Sequence, residues 1–292
     1  MRVLVTGAGG YIGPFVCEAM REYGHSIIGA DIKEGSLDWA TVDLSNLAET
    51  RDFLADVRPH AICHLAAVGD VAQAYKYPTA AIYAGPFLTS VLCDAIRCLG
   101  EPHPTLMYTS TWEVYGPAQY EPIDEEHPTN PEHFYNIAKL SGEQVALCYH
   151  RLYGLPVTVL RLGSAYGPGM RENSVFSVFK RKAQSGETLT VHGDGSQYRQ
   201  WTHVDDIAWA FYLAITREIA IGKIFNVVSP ECVTIRQLAE QIAEKYGVGV
   251  SFGEPRPGDV SPAVVSAEKA ARVLGWRAIE PFADKLEELL DD

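Results

Sequence analysis

The stretch Val3-Leu4-Val5-Thr6-Gly7-Ala8-Gly9-Gly10-Tyr11-Ile12-Gly13 limits what this chain can fold into more than any other feature. A short apolar strand feeds a glycine turn and then a helix, an order that builds a pocket for a pyrophosphate. Gly7 permits the tight turn, Gly10 lets the backbone approach the phosphates, and Gly13 lets helix and strand pack closely. The helix that follows aims unpaired N–H groups and its positive dipole end at the anion. A glycine turn alone also simply joins strands to helices, so the context matters. Asp31 ends the next strand-like run, Ser26-Ile27-Ile28-Gly29-Ala30, where an acid meets an adenosine ribose. Its carboxylate would accept from both ribose hydroxyls and repel a 2′-phosphate, which favours NAD over NADP. Lys33 weakens that preference slightly. Asp43, after Ala40-Thr41-Val42, is placed to accept from the adenine amino group.

The 292 residues are 47% hydrophobic, enough for one large domain or two interlocked ones. Twenty-four basic against 37 acidic residues leave a net charge of −13. That balance argues against nucleic acid or an anionic membrane as a partner, and an anionic substrate would need local cations. The six cysteines (Cys17, Cys63, Cys93, Cys98, Cys148, Cys232) sit singly in apolar runs with no metal-like spacing. They read as buried thiols in a reducing cytoplasm, with no metal expected. Met1-Arg2 leads directly into a strand, with no leader expected, and no apolar run approaches membrane-spanning length. His64 and His203 read as hydrogen-bonding scaffold residues.

Strand-like runs at 2–6, 25–30, 61–65, 105–109 and 157–161 alternate with helix-length segments. Their apolar character on both faces predicts an α/β fold with a doubly wound parallel sheet of the Rossmann type. Ligands in such sheets bind at the carboxyl ends of the strands, so the loops after these runs should meet. Beyond Pro168 the pattern changes. Helix-like 173–185, Thr188-Leu189-Thr190-Val191, the polar loop 192–197, a helix from near Asp205, and the mixed region after Thr234 predict a smaller interleaved α/β lobe. Residues 1–167 with 200–228 are assigned to the dinucleotide-binding domain, and 168–199 with 229–292 to the substrate lobe.

Tyr135 and Lys139 stand four apart, on one face of a helix running to about Tyr153. A phenol near pKa 10 is a poor base at neutral pH. A close ammonium, with the positive nicotinamide ring of an oxidised cofactor, would lower that value and yield a usable phenolate. Upstream, Thr109, Ser110 and Thr111 crowd a strand end with hydroxyls. Thr111 can hold a substrate hydroxyl and relay its proton to Tyr135, and others of the three would satisfy loop backbone.

Together these strings resemble the extended short-chain dehydrogenase/reductases of the NAD-dependent nucleotide-sugar epimerase/dehydratase group. The resemblance spans nearly the whole chain: TGAGGYIG at 6–13, Asp31, HLAA at 64–67, TSTWEVYG at 109–116, YNIAK at 135–139, LRLGSAYGPG at 160–169, HGDGSQYRQWTHVDD at 192–206 and RPGD at 256–259. It implies that Tyr135 is the base, that Lys139 tunes it and holds the nicotinamide ribose, and that Thr111 assists. Further cofactor contacts are implied at Tyr11, Ile12, Leu44, Leu65, Ala66 and Ala67. Arg199 and Arg256 match the arginines that clamp the diphosphate of a nucleotide-sugar, which suits an acidic chain that must hold a dianion. Backbone around Val191 matches the stretch that contacts the nucleotide base. A homodimer through helices near 80–99 and 132–153 is also implied.

The reaction turns on Thr111-Trp112-Glu113. An epimerase needs the tyrosine, lysine and threonine with a tightly held cofactor, passing through a transient 4-keto sugar with no net redox. A 4,6-dehydratase typically carries Asp-Glu after the threonine. Glu113 matches that base, but the indole of Trp112 is a hydrogen-bond donor and no acid. The resemblance therefore favours a C4 epimerase. The alternatives are a dehydratase or decarboxylase using Glu113, or a net NAD-dependent sugar dehydrogenase or reductase. Two departures bear on the substrate: Ser164 replaces the usual asparagine near the substrate phosphate, and Tyr83-Ala84-Gly85-Pro86 stands where a helix asparagine is usual.

Overall fold

A computed structural model describes residues 1–34, 39–69, 71–255 and 263–291. The short runs rich in branched residues form seven strands of one parallel sheet: β1 (Arg2–Thr6), β2 (Ser26–Asp31), β3 (Trp39–Thr41), β4 (Ala61–His64), β5 (Thr105–Thr111), β6 (Val157–Leu162) and, after the lobe segment described below, Ile224–Val227. The sheet runs in the order Ile224–Val227, β6, β5, β4, β1, β2, β3, every pair parallel. The order in which strands are added reverses between β1 and β4, with every strand still parallel, and this opens the crevice where such sheets bind ligands.

Helices cover both faces. On one face lie α1 (Gly13–Glu22) and, later in the chain, Val204–Thr216 and Glu268–Leu274. Their residues Val16, Met20, Phe211 and Leu274 pack on Val3, Val5 and Phe225. On the other face lie α2 (Leu47–Val57), α3 (Val71–Lys76), α4 (Pro78–Ile82), α5 (Leu88–Cys98) and α6 (Phe134–Tyr153). There Leu54, Leu92, Ile96 and Leu147 pack on Leu4, Ile62 and Leu106. Gly154, in the left-handed conformation, ends α6 as a glycine cap does.

Between α4 and α5 the chain makes a π turn, Tyr83–Phe87, that contains Pro86. The resulting 21-residue helical stretch Pro78–Cys98 is long and apolar enough to cross a membrane by length and composition. This corrects the reading that no run approaches that length. Its inner residues, Leu92, Cys93, Ala95 and Ile96, are buried in the core. A second correction concerns the thiols: Cys17, Cys63 and Cys93 are buried, but Cys98 and Cys232 are exposed and Cys148 is half-buried.

Past β6 the chain continues through β7 (Ser164–Tyr166), α7 (Val175–Gln184), β8 (Leu189–His192), β9 (Tyr198–His203), α8 (Val204–Thr216), β10 (Ile224–Val227), β11 (Cys232–Thr234), α9 (Ile235–Tyr246), β12 (Val250–Gly253), α10 (Glu268–Leu274) and α11 (Phe282–Asp291). Of these, α8, β10 and α10 belong to the main sheet and its face, and the others build the smaller lobe. β11, β9 and β7 form one sheet and β12 pairs with β8 in another. A separate core of Phe176, Phe179, Leu189, Leu238, Ile242 and Leu286 closes it. Thr234 caps α9 in a reciprocal box with Gln237, so the chain turns sharply from strand to helix there.

Candidate active site

The loops after β1, β2, β4, β5 and β6 meet in a cleft of about 1420 Å³. At its floor the glycine loop is drawn tightly together. Gly7 has φ +73°, and a Cβ there would stand 2.7 Å from the Ala66 nitrogen. A Cβ on Gly13 would meet the Gly7 carbonyl oxygen at 2.5 Å. Gly9, which the sequence pattern left unassigned, is equally tight: a Cβ would meet the Trp39 ring at 2.9 Å. Its N–H donates to Asp31 Oδ2 at 3.0 Å, while Asp31 Oδ1 accepts from Lys33 N at 3.0 Å. These two bonds aim the carboxylate along the rim and leave lone pairs for a ribose diol. The first turn of α1 receives no side-chain cap, so its N–H groups remain for an anion. The residues present therefore fit a dinucleotide. Gly10, Tyr11, Ile12, Leu44, Leu65, Ala66 and Ala67 all line the same cleft, as does Asp43, whose Oδ1 accepts from Ser45 N at 2.9 Å.

Tyr135 and Lys139 project into the cleft from the first two turns of α6. Lys139 is buried, and its Nζ donates to the Thr109 carbonyl at 2.9 Å. Burial pushes its ammonium down to about 8. Beneath it, His64 bonds through Nδ1 with Thr6 Oγ1 at 2.8 Å. Burial, and then the Lys139 charge, push that imidazole down to about 3, so it stays neutral. His203 is a scaffold residue too, accepting from Asp205 N at the start of α8.

Thr111 ends β5 and caps the short 3₁₀ turn Trp112–Tyr115 by accepting from Glu113 N at 3.3 Å. Glu113 lines the cleft, and its Oε2 is shielded from solvent with no hydrogen-bond partner. Burial raises its pKa, opposed by the charges of Arg199, His133 and Arg171 and by a hydrogen bond with Asn136. Trp112 also lines the cleft but is anchored among Tyr115, Ile123, Val228 and Val265.

Ser164 lines the cleft at the start of β7. Arg199 stands on β9, close enough for its charge to act on Glu113, and donates to the Tyr198 carbonyl at 2.9 Å. Val191 is fully buried in the core of the smaller lobe, on β8 where it pairs with β12, and is absent from the residues that line the cleft. Arg256 lies outside the described residues.

Sequence reasoning missed Met170, Arg171 and Trp201, which line the cleft, whereas Tyr83 and Ala84, noted in the sequence as a departure bearing on the substrate, line it from the π turn. Arg171 Nη1 donates to the Gly69 carbonyl at 2.9 Å, and Tyr11 OH donates to Gly167 O at 3.2 Å. These two bonds tie the smaller lobe to the main sheet across the cleft. Only the Gly-Pro-Gly turn at 167–169 hinted that the chain reaches over the site there.

The fold and this cleft together define a dinucleotide-dependent enzyme of the doubly wound class. Residues 3–228 match the NAD dependent epimerase/dehydratase family, and the chain belongs to it. It is 30% identical over 296 residues to the UDP-glucose 4-epimerase of Mycolicibacterium smegmatis, covering 95% of this chain and 93% of that one. To the dTDP-glucose 4,6-dehydratase of Neisseria meningitidis serogroup B it is 29% identical over 323 residues, covering 98% and 91%. The solved structure of UDP-glucose 4-epimerase with UDP-glucose from Thermotoga maritima is 27% identical, matching with a TM-score of 0.92 over 100% of this chain and 98% of that one.

Proposed function

We propose that this protein interconverts nucleotide-diphosphate sugars epimeric at C4. The observation that carries this reading is the pairing of a complete Tyr135–Lys139–Thr111 set with an indole at position 112, where a dehydratase needs a proton donor beside Glu113. Bound NAD supplies reversible hydride chemistry, so no net redox is required. Tyr135 takes the proton of the sugar C4 hydroxyl and returns it. Lys139, held by the Thr109 carbonyl, supplies the charge that makes the phenolate accessible. Thr111 bonds the same hydroxyl and relays its proton. Arg199, with Arg256 from outside the described residues, is assigned to the diphosphate, Ser164 to its positioning, and backbone near Val191 to the base.

A second reading is favoured by one observation, the shielded Oε2 of Glu113 and its raised pKa. A shielded carboxyl of this kind suits proton transfer and would serve a dehydratase or decarboxylase. A panel of UDP-, dTDP-, GDP- and CDP-sugars, with products read by NMR, separates the readings. A C4 epimer with no steady NADH absorbance supports the proposal. A 4-keto-6-deoxy product or carbon dioxide release supports the second reading, and stoichiometric NADH marks a net dehydrogenase. Glu113→Gln is expected to retain epimerase activity within about tenfold, whereas a complete loss in a folded variant would transfer the assignment to Glu113 chemistry.

We further propose a homodimer in a reducing cytoplasm. The exposed faces of α4, the π turn and α6 carry Ile82, Tyr83, Phe87, Leu152 and Tyr153, an apolar surface suited to a second copy. All six cysteines are unpaired, which fits that compartment.

A further inference from the structure

We propose that the buried Glu143–Arg161 ion pair positions the reacting groups, fixing α6, β5 and the Glu113 turn in one register. This rests on the reading of Tyr135, Lys139 and Thr111 as the reacting set. Glu143 follows Lys139 by one helical turn and Tyr135 by two, on the same face of α6. It is fully buried. Its Oε1 accepts from Arg161 Nη2 at 2.6 Å, and its Oε2 accepts from Arg161 Nε at 3.1 Å and from Ser110 Oγ at 2.9 Å.

Each partner belongs to a different element of the site. Arg161 stands on β6, and Ser110 immediately precedes Thr111 on β5. The guanidinium also stacks 4.7 Å from the ring of Tyr115, the last residue of the turn that carries Glu113. Tyr115 in turn donates to Asn226 Oδ1 on β10 at 2.8 Å. One charge pair thus touches every element that bears a reacting group, while Glu143 and Arg161 are themselves absent from the residues lining the cleft.

Such a pair adds little net stability, because desolvation offsets the attraction. What it supplies is direction: two parallel bonds between planar groups fix an angle and a register that apolar packing leaves loose. The reacting groups need that precision, since a displacement of about 1 Å can lower a rate about 100-fold.

The test uses the full-length protein with bound NAD. Arg161→Met/Glu143→Leu removes both charges, so that neither stays buried alone. Ser110→Ala cuts only the link to β5 and leaves the ion pair in place. The double variant is expected to lose about 10- to 100-fold in kcat while KM for the nucleotide-sugar stays within about threefold and NAD content is unchanged. Ser110→Ala is expected to lose about three- to tenfold in kcat with the same pattern. A folded double variant with wild-type kcat overturns the proposal, as does a loss confined to KM. Should the double variant not fold, an unchanged kcat in Ser110→Ala overturns it and the expected loss supports it. Tyr135→Phe is the control. If it stays active, the underlying reading fails and the inference with it; if it is inactive while the double variant runs at full speed, only the positioning inference fails.

Discussion

At the scale of single residues, the proposed mechanism has Tyr135 and Lys139 divide the work of one proton transfer. Tyr135→Phe removes the only oxygen of that side chain and leaves its ring in place. Turnover is expected to fall about 10²- to 10⁴-fold, with NAD content unchanged in the purified protein. In that mechanism Lys139 sets the pH dependence. Burial favours its neutral form and brings its pKa to about 8, so the ammonium that promotes the phenolate is lost as pH rises through that value. An alkaline limb near pH 8 in kcat/KM is therefore expected. A profile flat to pH 10 would remove Lys139 from this role. The spacing of the two residues was legible in the sequence because a helix alone places i and i+4 on one face. The depth of Lys139 was not, since its burial depends on Thr109, His64 and Tyr108 arriving from β4 and β5.

At the scale of elements, α6, which carries Tyr135 and Lys139, is held by close backbone contacts. Gly85 in the π turn lies so near α6 that a Cβ would stand 2.5 Å from the Ala138 carbonyl oxygen, one residue before Lys139. The neighbouring atom is backbone and cannot swing aside. Gly85→Ala is expected to cost about 1–3 kcal/mol, read as a lower urea midpoint, with a fall in kcat as α6 is displaced. An unchanged midpoint would show that the π turn yields freely. The helix itself was readable from the sequence over 132–153, but its packing partner was not. A proline inside a helical run is usually a stop signal, and only the surrounding fold turned it into a π turn that lines the cleft.

At the scale of the whole molecule, the two lobes meet through α8. Asp206 on α8 accepts from Ile279 N at 2.9 Å and from Glu280 N at 3.3 Å, while its own carbonyl accepts from Trp276 Nε1 at 2.9 Å. Burial raises its pKa to about 6; the two backbone bonds lower it, the Glu280 charge raises it, and that of His203 lowers it. Its folded pKa lies above the unfolded value, so the native state binds the proton more tightly between about pH 4 and 6. Stability is expected to fall as pH rises through that window, by at most about 3 kcal/mol from this group alone. Asp206→Asn should flatten that slope in urea titrations at pH 4 and pH 7. An identical slope in the variant would assign it to other carboxylates.

Several features were decided before any tertiary contact formed. The glycine turn, the acid at the end of the second strand, the parallel-sheet rhythm and the Tyr135–Lys139 face all rest on local backbone conformation, residue spacing and chain order. Those are properties of a chain segment read along its own axis. Other features arose only when distant segments met. Gly9 matters because Trp39 and Asp31 close on it, Arg171 because it reaches Gly69, and Glu143 because Arg161 and Ser110 come from two other strands. Their residue types are ordinary and their partners lie far off in sequence. Burial and register gave them meaning, and those belong to the packed sheet rather than to any one segment of the chain.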